Sequence, residues 1–311
     1  MKTTRKVAGT PRVPSATVAG TPCVQAWRPA PATWLATTAL FFAALLMGCG
    51  NIPSILPGHP QQIRVAVIGG MVETGFWQAL AERFQQASGN RYRIEVVAMG
   101  PKHIIAAAFR KGQADLITMH ACDTIINLVA DGYAMDPQPW LKNDLIIVGP
   151  RDDPAHIRGS RDAAEAFAKI ASAAAPFVVH SSLGAQEVMR DVLNAGNVSL
   201  PSDHLTILFT DRARDVLKIA AEKHAYTLVG RIPFLNGKLP NEGLELMVRG
   251  DPRLRRPYVA AVANPRHFPQ ARVEGAAALA AFLRKPETQE WISTYGVSQL
   301  DDQPLFFPIS Q

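Results

Sequence analysis

Apolar and polar positions alternate between two periods along most of this chain. Residues 63–68 (IRVAVI) form a short β-rich run that Gly69-Gly70 breaks. Over 73–87, Phe76, Leu80 and Phe84 recur every fourth residue, the stripe of one helix face, and Ser88-Gly89-Asn90 closes it. The pattern then predicts a strand over 92–98, a helix over 102–111 stopped by Gly112, a strand over 115–119 and a helix over 124–130. This βαβαβ order predicts a parallel sheet with helices on its faces.

A second series begins at the apolar run 144–148 (DLIIV), closed by Gly149-Pro150. A helix is expected over 161–174, with Ser160 as its cap. Strands follow over 177–179, 205–209 and 226–229, alternating with helices over 185–193 and 212–223. A Pro/Gly/Asn-rich connection, 231–243, leads to strands 244–248 and 258–262 and to helices 271–283 and 287–295. The fold class is therefore α/β, with two lobes, each a mostly parallel sheet flanked by helices. Ligands of open α/β sheets bind beyond the carboxyl ends of the strands, which directs attention to Gly69-Gly70, 119–123, 179–183 and 229–231.

The N-terminus has a different character. Residues 34–47 (WLATTALFFAALLM) are apolar or small, but fall short of the roughly 20 residues a spanning helix needs. Basic residues precede this run, and Leu46-Met47-Gly48-Cys49 follows it, which resembles the lipobox of bacterial lipoproteins. The resemblance implies a leader over 1–48, cleavage before Cys49, and lipidation of that cysteine as a membrane anchor. Residues 49–61, rich in proline and glycine, read as a tether. A plain membrane-anchor helix is the alternative.

Charge and cysteine usage narrow the classes. The chain carries a formal charge of +6 and an isoelectric point near 9.4. Lys2, Arg5, Lys6, Arg12 and Arg28 lie in the leader with no acid beside them, so the remainder is nearly balanced. The folded part offers no electrostatic case for nucleic acid. A mean hydropathy of +0.03 is too low for a polytopic membrane protein. Cys23 lies in the leader, so Cys122 is the single unmodified thiol of a mature chain, a small buried residue or a nucleophile.

Candidate chemistry gathers at the strand ends. Gly69-Gly70 offers backbone N–H groups at a helix start, an anion site or a plain tight turn. It lacks the third glycine of a dinucleotide fingerprint and any Walker lysine. His180-Ser181-Ser182 provides ligand contacts or helix caps; no GxSxG elbow surrounds these serines. His103, His120 and His180 match no metal-ligand spacing, so no metal or cofactor is expected. Arg253, Arg255 and Arg256 read as a solvated basic turn.

Three blocks carry a wider resemblance: 142–166 (KNDLIIVGPRDDPAHIRGSRDAAEA), 220–231 (AAEKHAYTLVGR) and 248–269 (VRGDPRLRRPYVAAVANPRHFP). They resemble the solute-binding proteins of tungstate ABC importers, over about residues 63–311. That resemblance implies a two-lobed periplasmic binding protein fold, with lobe I over 62–142 and 240–311, lobe II over 143–239 and a hinge between them. It also implies a lipid-anchored monomer on the periplasmic side that captures a tungstate-like oxyanion or an altered ligand and delivers it to an ABC permease. Its implied ligand residues are Gly69, Gly70, His120, His180, Ser181, Ser182 and Arg231. Family members carry a threonine/serine run where this chain has Val67, Ile68, Gly69 and Gly70. Their arginine-led segment after the APFV strand is replaced by a run starting Val179-His180-Ser181-Ser182, and of TDR only Arg231 survives. Two other readings are a hydrolase or transferase using His180 and Ser181, and a sensory or scaffold lipoprotein without an importer.

Overall fold

The computed structural model describes residues 59–181, 183–210 and 212–309. The leader, Cys49 and most of the tether lie outside them, as does Ser182. Two α/β units share one strand. In the first sheet, β1 (Gln61–Ile68) pairs in parallel with β2 (Tyr92–Gly100) on one side and β3 (Leu116–His120) on the other. Helices α1 (Gly69–Glu73), α2 (Phe76–Ala87), α3 (Lys102–Arg110) and α4 (Asp123–Ala130) connect and follow these strands. The long β4 (Ala134–Gly149) comes next. The second unit runs through α5 (Ala163–Ser172), β5 (Phe177–His180), α6 (Leu183–Ala195), β6 (Leu205–Leu208), α7 (Ala213–Glu222) and β7 (Tyr226–Gly230). Then come α8 (Arg231–Leu235), β8 (Glu245–Val248) and a 3-10 turn, Pro252–Leu254. The chain ends with β9 (Arg255–Ala263), α9 (Val273–Leu283), α10 (Pro286–Thr294) and β10 (Phe307–Pro308).

β4 spans 16 residues, about 50 Å at the rise of a strand, enough to serve both sheets. Its first part, from Ala134 to Asp144, pairs antiparallel with β9, which in turn pairs with β3. Its last part, from Leu145, pairs with β7 and β8 in the second sheet, where β5, β6 and β7 are parallel. The crossing between lobes thus falls at Asp144 on the way out and at Arg255 on the way back.

Alternation along the strands explains why both faces of each sheet are covered. Val65 and Val67 enter one core cluster of the first sheet and Ala66 enters the other. In the second sheet, Ile147 faces one cluster, Ile146 and Val148 the opposite one. Each such buried side chain contributes roughly 1.5–3 kcal/mol. Phe76 anchors the first core, with its ring centroid 4.5 Å from that of Phe306 and 6.2 Å from that of Trp140.

The structure departs from the sequence pattern at several points. The helix expected to run unbroken from 73 is split at Gly75, whose φ of +73° suits a residue without a Cβ. The first half of β4 was not expected as strand: Pro137 and Pro139 sit where the register with β9 shifts, so the strand tolerates them as bulges. The connection 231–243 contains α8. Its successor, β8, pairs with the second sheet, and Leu254 packs in that sheet's core, so residues 245–254 accompany lobe II rather than returning at 240.

Candidate functional site

Three strands of the first sheet bring one polar face to the junction of the lobes. On β9, Arg256 and Tyr258 are two residues apart and share a face; Arg255 points to the other. His120, the last residue of β3, stands opposite Tyr258, and Asn143 of β4 stands opposite Arg256. His120 Nε2 lies 3.3 Å from Asn143 Nδ2 and 3.2 Å from Arg256 Nη2. The imidazole also rests on the Tyr258 ring, centroids 4.2 Å apart. Below them Trp140 Nε1 donates to Thr118 Oγ1 at 2.8 Å.

The electrostatics of this face are unusual. Burial holds the Arg256 guanidinium below its ordinary value, and no salt bridge to a carboxylate offsets this among the described residues. Burial pushes the His120 imidazole well below its usual range, and Arg256 and Lys102 add to the effect. Burial also raises the Tyr258 phenol. Three atoms of the cluster are buried without a hydrogen-bond partner: His120 Nδ1, Asn143 Oδ1 and Arg256 Nε. Such atoms are rare in folded proteins and call for an explanation.

The second lobe faces this cluster with the start of α6. A Cβ built on Gly184 would meet Arg256 Nη1 at 3.0 Å, so glycine there lets the first turn of the helix approach the guanidinium. The first turn of a 13-residue helix presents backbone N–H groups that lack partners within the helix. His180 ends β5 just before this turn, and the Ser181 backbone N–H donates to the Leu208 carbonyl at 2.9 Å. Gly69 and Gly70 open α1 at the end of β1. The last β1–β3 pair is Val67 with Thr118, so Gly69 and Gly70 leave the sheet at the same end as His120. At the end of α1, Lys238 of the second lobe donates to both Glu73 carboxylate oxygens at 2.6 Å.

Arg231 lies elsewhere. Expected among the ligand contacts, it is fully buried at the start of α8. Its Nε donates to both Asp144 oxygens at 2.9 and 3.0 Å, its Nη1 to Asp301, and its Nη2 to the carbonyls of Pro304 and Leu305. Arg249 adds a second contact to Asp301. Phe307 lies beneath Arg231 and, at 3.7 Å, beneath Arg255. This network sits on the opposite face of β4 and β9 from Arg256, and it fastens the C-terminal segment to the crossing. Arg231 therefore spends its donors within the protein.

The sequence gives Asn143 no distinction and reads Arg256 only within the basic run Arg253, Arg255 and Arg256, as a solvated turn; instead Arg255 and Arg256 begin β9. The available signal was the spacing of Arg256 and Tyr258, which puts a cation and an aromatic ring on one strand face. Cys122, free and half-buried, precedes α4, with its Sγ 3.9 Å from Met119 Sδ. Among the described residues no group of three or more His, Cys, Asp or Glu side chains could hold a metal ion. No helix among them is long and apolar enough to cross a membrane.

Residues 63–298 match the family described as bacterial extracellular solute-binding protein. A proposed ABC transporter anion-binding protein of Haloferax volcanii is 33% identical over 259 residues, covering 81% of this chain and 73% of that one. The tungstate-binding protein TupA of Peptoclostridium acidaminophilum is 26% identical, covering 76% of this chain and 82% of its own. Among solved structures, the tungstate-binding protein TupA from Desulfovibrio alaskensis superposes with a TM-score of 0.62 at 25% identity, covering 80% of this chain and 98% of that one.

Proposed function

Because this chain belongs to the bacterial extracellular solute-binding proteins, a family of binders and not of enzymes, we propose that it captures a small oxyanion between its two lobes for an ABC importer. The observation that carries this reading is Arg256, a half-buried guanidinium at the junction of the lobes whose Nε is buried without a partner and which has no carboxylate partner among the described residues. A buried cation without a counter-charge is costly, and a bound anion offsets that cost through charge-assisted hydrogen bonds. The relatives named for anion and tungstate binding support the same class of ligand.

In this reading His120 and Arg256 hold the anion from lobe I, with the Gly69-Gly70 backbone beside them. His180 and Ser181 approach it from just before α6 in lobe II. Closure of the two lobes on the ligand presents the closed form to a permease. Cys49 carries the lipid anchor that keeps the protein, as a monomer, on the periplasmic side. No cofactor is required, because no bond is made or broken.

Calorimetric titration of the full chain in detergent with tungstate, molybdate, sulfate and phosphate tests the reading. At least one of these binds, and Arg256→Met weakens it by roughly a hundredfold, the worth of a charge-assisted contact, without lowering the unfolding temperature. Absence of binding by all four to the native protein refutes the proposal.

A further inference from the structure

An ion pair crosses between the two lobes beside the Gly69-Gly70 turn. On the first lobe, Glu73 is the last residue of α1, one helical turn beyond Gly69. Its carboxylate folds back over that glycine. A Cβ built on Gly69 would meet Glu73 Oε1 at 3.2 Å, so the missing side chain makes room for it. Thr74, the next residue, donates from Oγ1 to the Gly70 carbonyl at 2.9 Å. The end of α1 is thus fastened to the turn that opens it.

On the second lobe, Lys238 lies in a turn just after α8. Its backbone N–H donates to Asn236 Oδ1 at 3.0 Å, and Gly237 takes a φ of +74°. Ile232, early in α8, still packs in the first lobe's core, but Phe234 and Leu239 pack against the second. Lys238 therefore travels with the second lobe, and its Nζ donates across the gap to both Glu73 oxygens at 2.6 Å.

Exposure decides what this pair can do. Arg231 and Asp144 are buried, and a buried pair is costly to break, so they serve as a fixed joint. The side chains of Glu73 and Lys238 are 35% and 52% exposed. A pair this wet shifts an equilibrium by roughly two- to fivefold, enough to bias closure without welding it. Resting on the oxyanion reading above, we propose that Glu73 and Lys238 form a latch. The pair makes its contact as the lobes close and slows the escape of the anion, which neither side chain touches.

The position of Glu73 gives the test its sign. A carboxylate beside the Gly69 turn repels an anion, so as a separate charge its removal tightens binding, whereas removal of Lys238 weakens it. As a latch, removal of either partner weakens binding. Calorimetry on the full chain in detergent, at low ionic strength where an exposed pair is least screened, compares native protein with Glu73→Gln, Lys238→Met and the exchanged pair Glu73→Lys with Lys238→Glu. The probes are tungstate, molybdate, sulfate and phosphate. For each anion that binds the native chain, both single replacements weaken binding roughly two- to fivefold, and the exchanged pair returns to within about twofold of native. Tighter or unchanged binding by Glu73→Gln overturns the latch, because the two residues then act as separate charges. An exchanged pair that binds more weakly than either single replacement also overturns it, because the losses then reflect damage at each position. Both outcomes leave the oxyanion reading intact. Failure of all four anions to bind the native chain overturns both readings together. Should the exchanged pair fail to fold, the two single replacements decide.

Discussion

Replacing Arg231 with methionine should reveal how much the buried network behind the crossing contributes. The side chains of Arg231, Asp144 and Asp301 are 0%, 2% and 8% exposed. Methionine keeps much of the volume but leaves two buried carboxylates without their shared cation. Breaking a buried pair in this way costs about 3–5 kcal/mol, a large part of a total stability of about 5–15 kcal/mol. For a chain of this size each kcal/mol lowers the unfolding temperature by about 2–4 °C, so a drop of about 6–20 °C is expected. The deficit should also depend on pH. Burial pushes the Asp144 carboxyl up, and Arg231 pulls it back down. Without Arg231 the folded-state pKa rises further above the unfolded one, and the folded protein holds the proton more tightly. Stability is then lost as pH rises through that folded value, so the deficit is larger at pH 8 than at pH 5. Urea unfolding of the native and Arg231→Met chains at both pH values measures this. A deficit below about 1 kcal/mol, or one that grows toward acid, would falsify the assignment of Arg231 to the structure rather than the ligand.

Two further outcomes follow from other residues. Asp115 is fully buried; burial raises its carboxyl, but hydrogen bonds from Arg64 and from the Arg64 and Arg272 backbone outweigh this and hold it low. Its contribution is present above the unfolded pKa and lost as pH falls through the folded value, so Arg64→Leu should move the acid-unfolding midpoint to higher pH, as followed by circular dichroism. Cys122 lies two residues beyond His120 and is half-buried, so an anion held at His120 should shield it and slow its alkylation by a maleimide several-fold; unchanged labelling at saturating ligand would place the anion elsewhere.

The element order was legible in the sequence because period and punctuation coincide. Phe76, Leu80 and Phe84 mark one helix face, and the apolar run before Gly149 marks the end of β4. The first half of β4 was hidden by Pro137 and Pro139, which suit a strand only at bulges. The site was harder to read. Arg231 and Arg256 both follow or begin strands near the crossing, and sequence alone does not assign their faces. What separates them is contact with residues far along the chain: Asp301 and Pro304 for Arg231, His120 for Arg256. The buried, unpartnered atoms that single out Arg256 exist only once three strands lie side by side.

The strand shared by both sheets has a consequence for how this protein senses its cargo. Arg256 follows Arg255, the point where the chain returns from one sheet to the other, so any bending of the lobes passes through its immediate neighbours. A clamp usually separates the joint that flexes from the surface that grips. Here the two are adjacent on one stretch of backbone, so a misfitting guest would strain the pivot itself, and rejection would begin before the jaws meet.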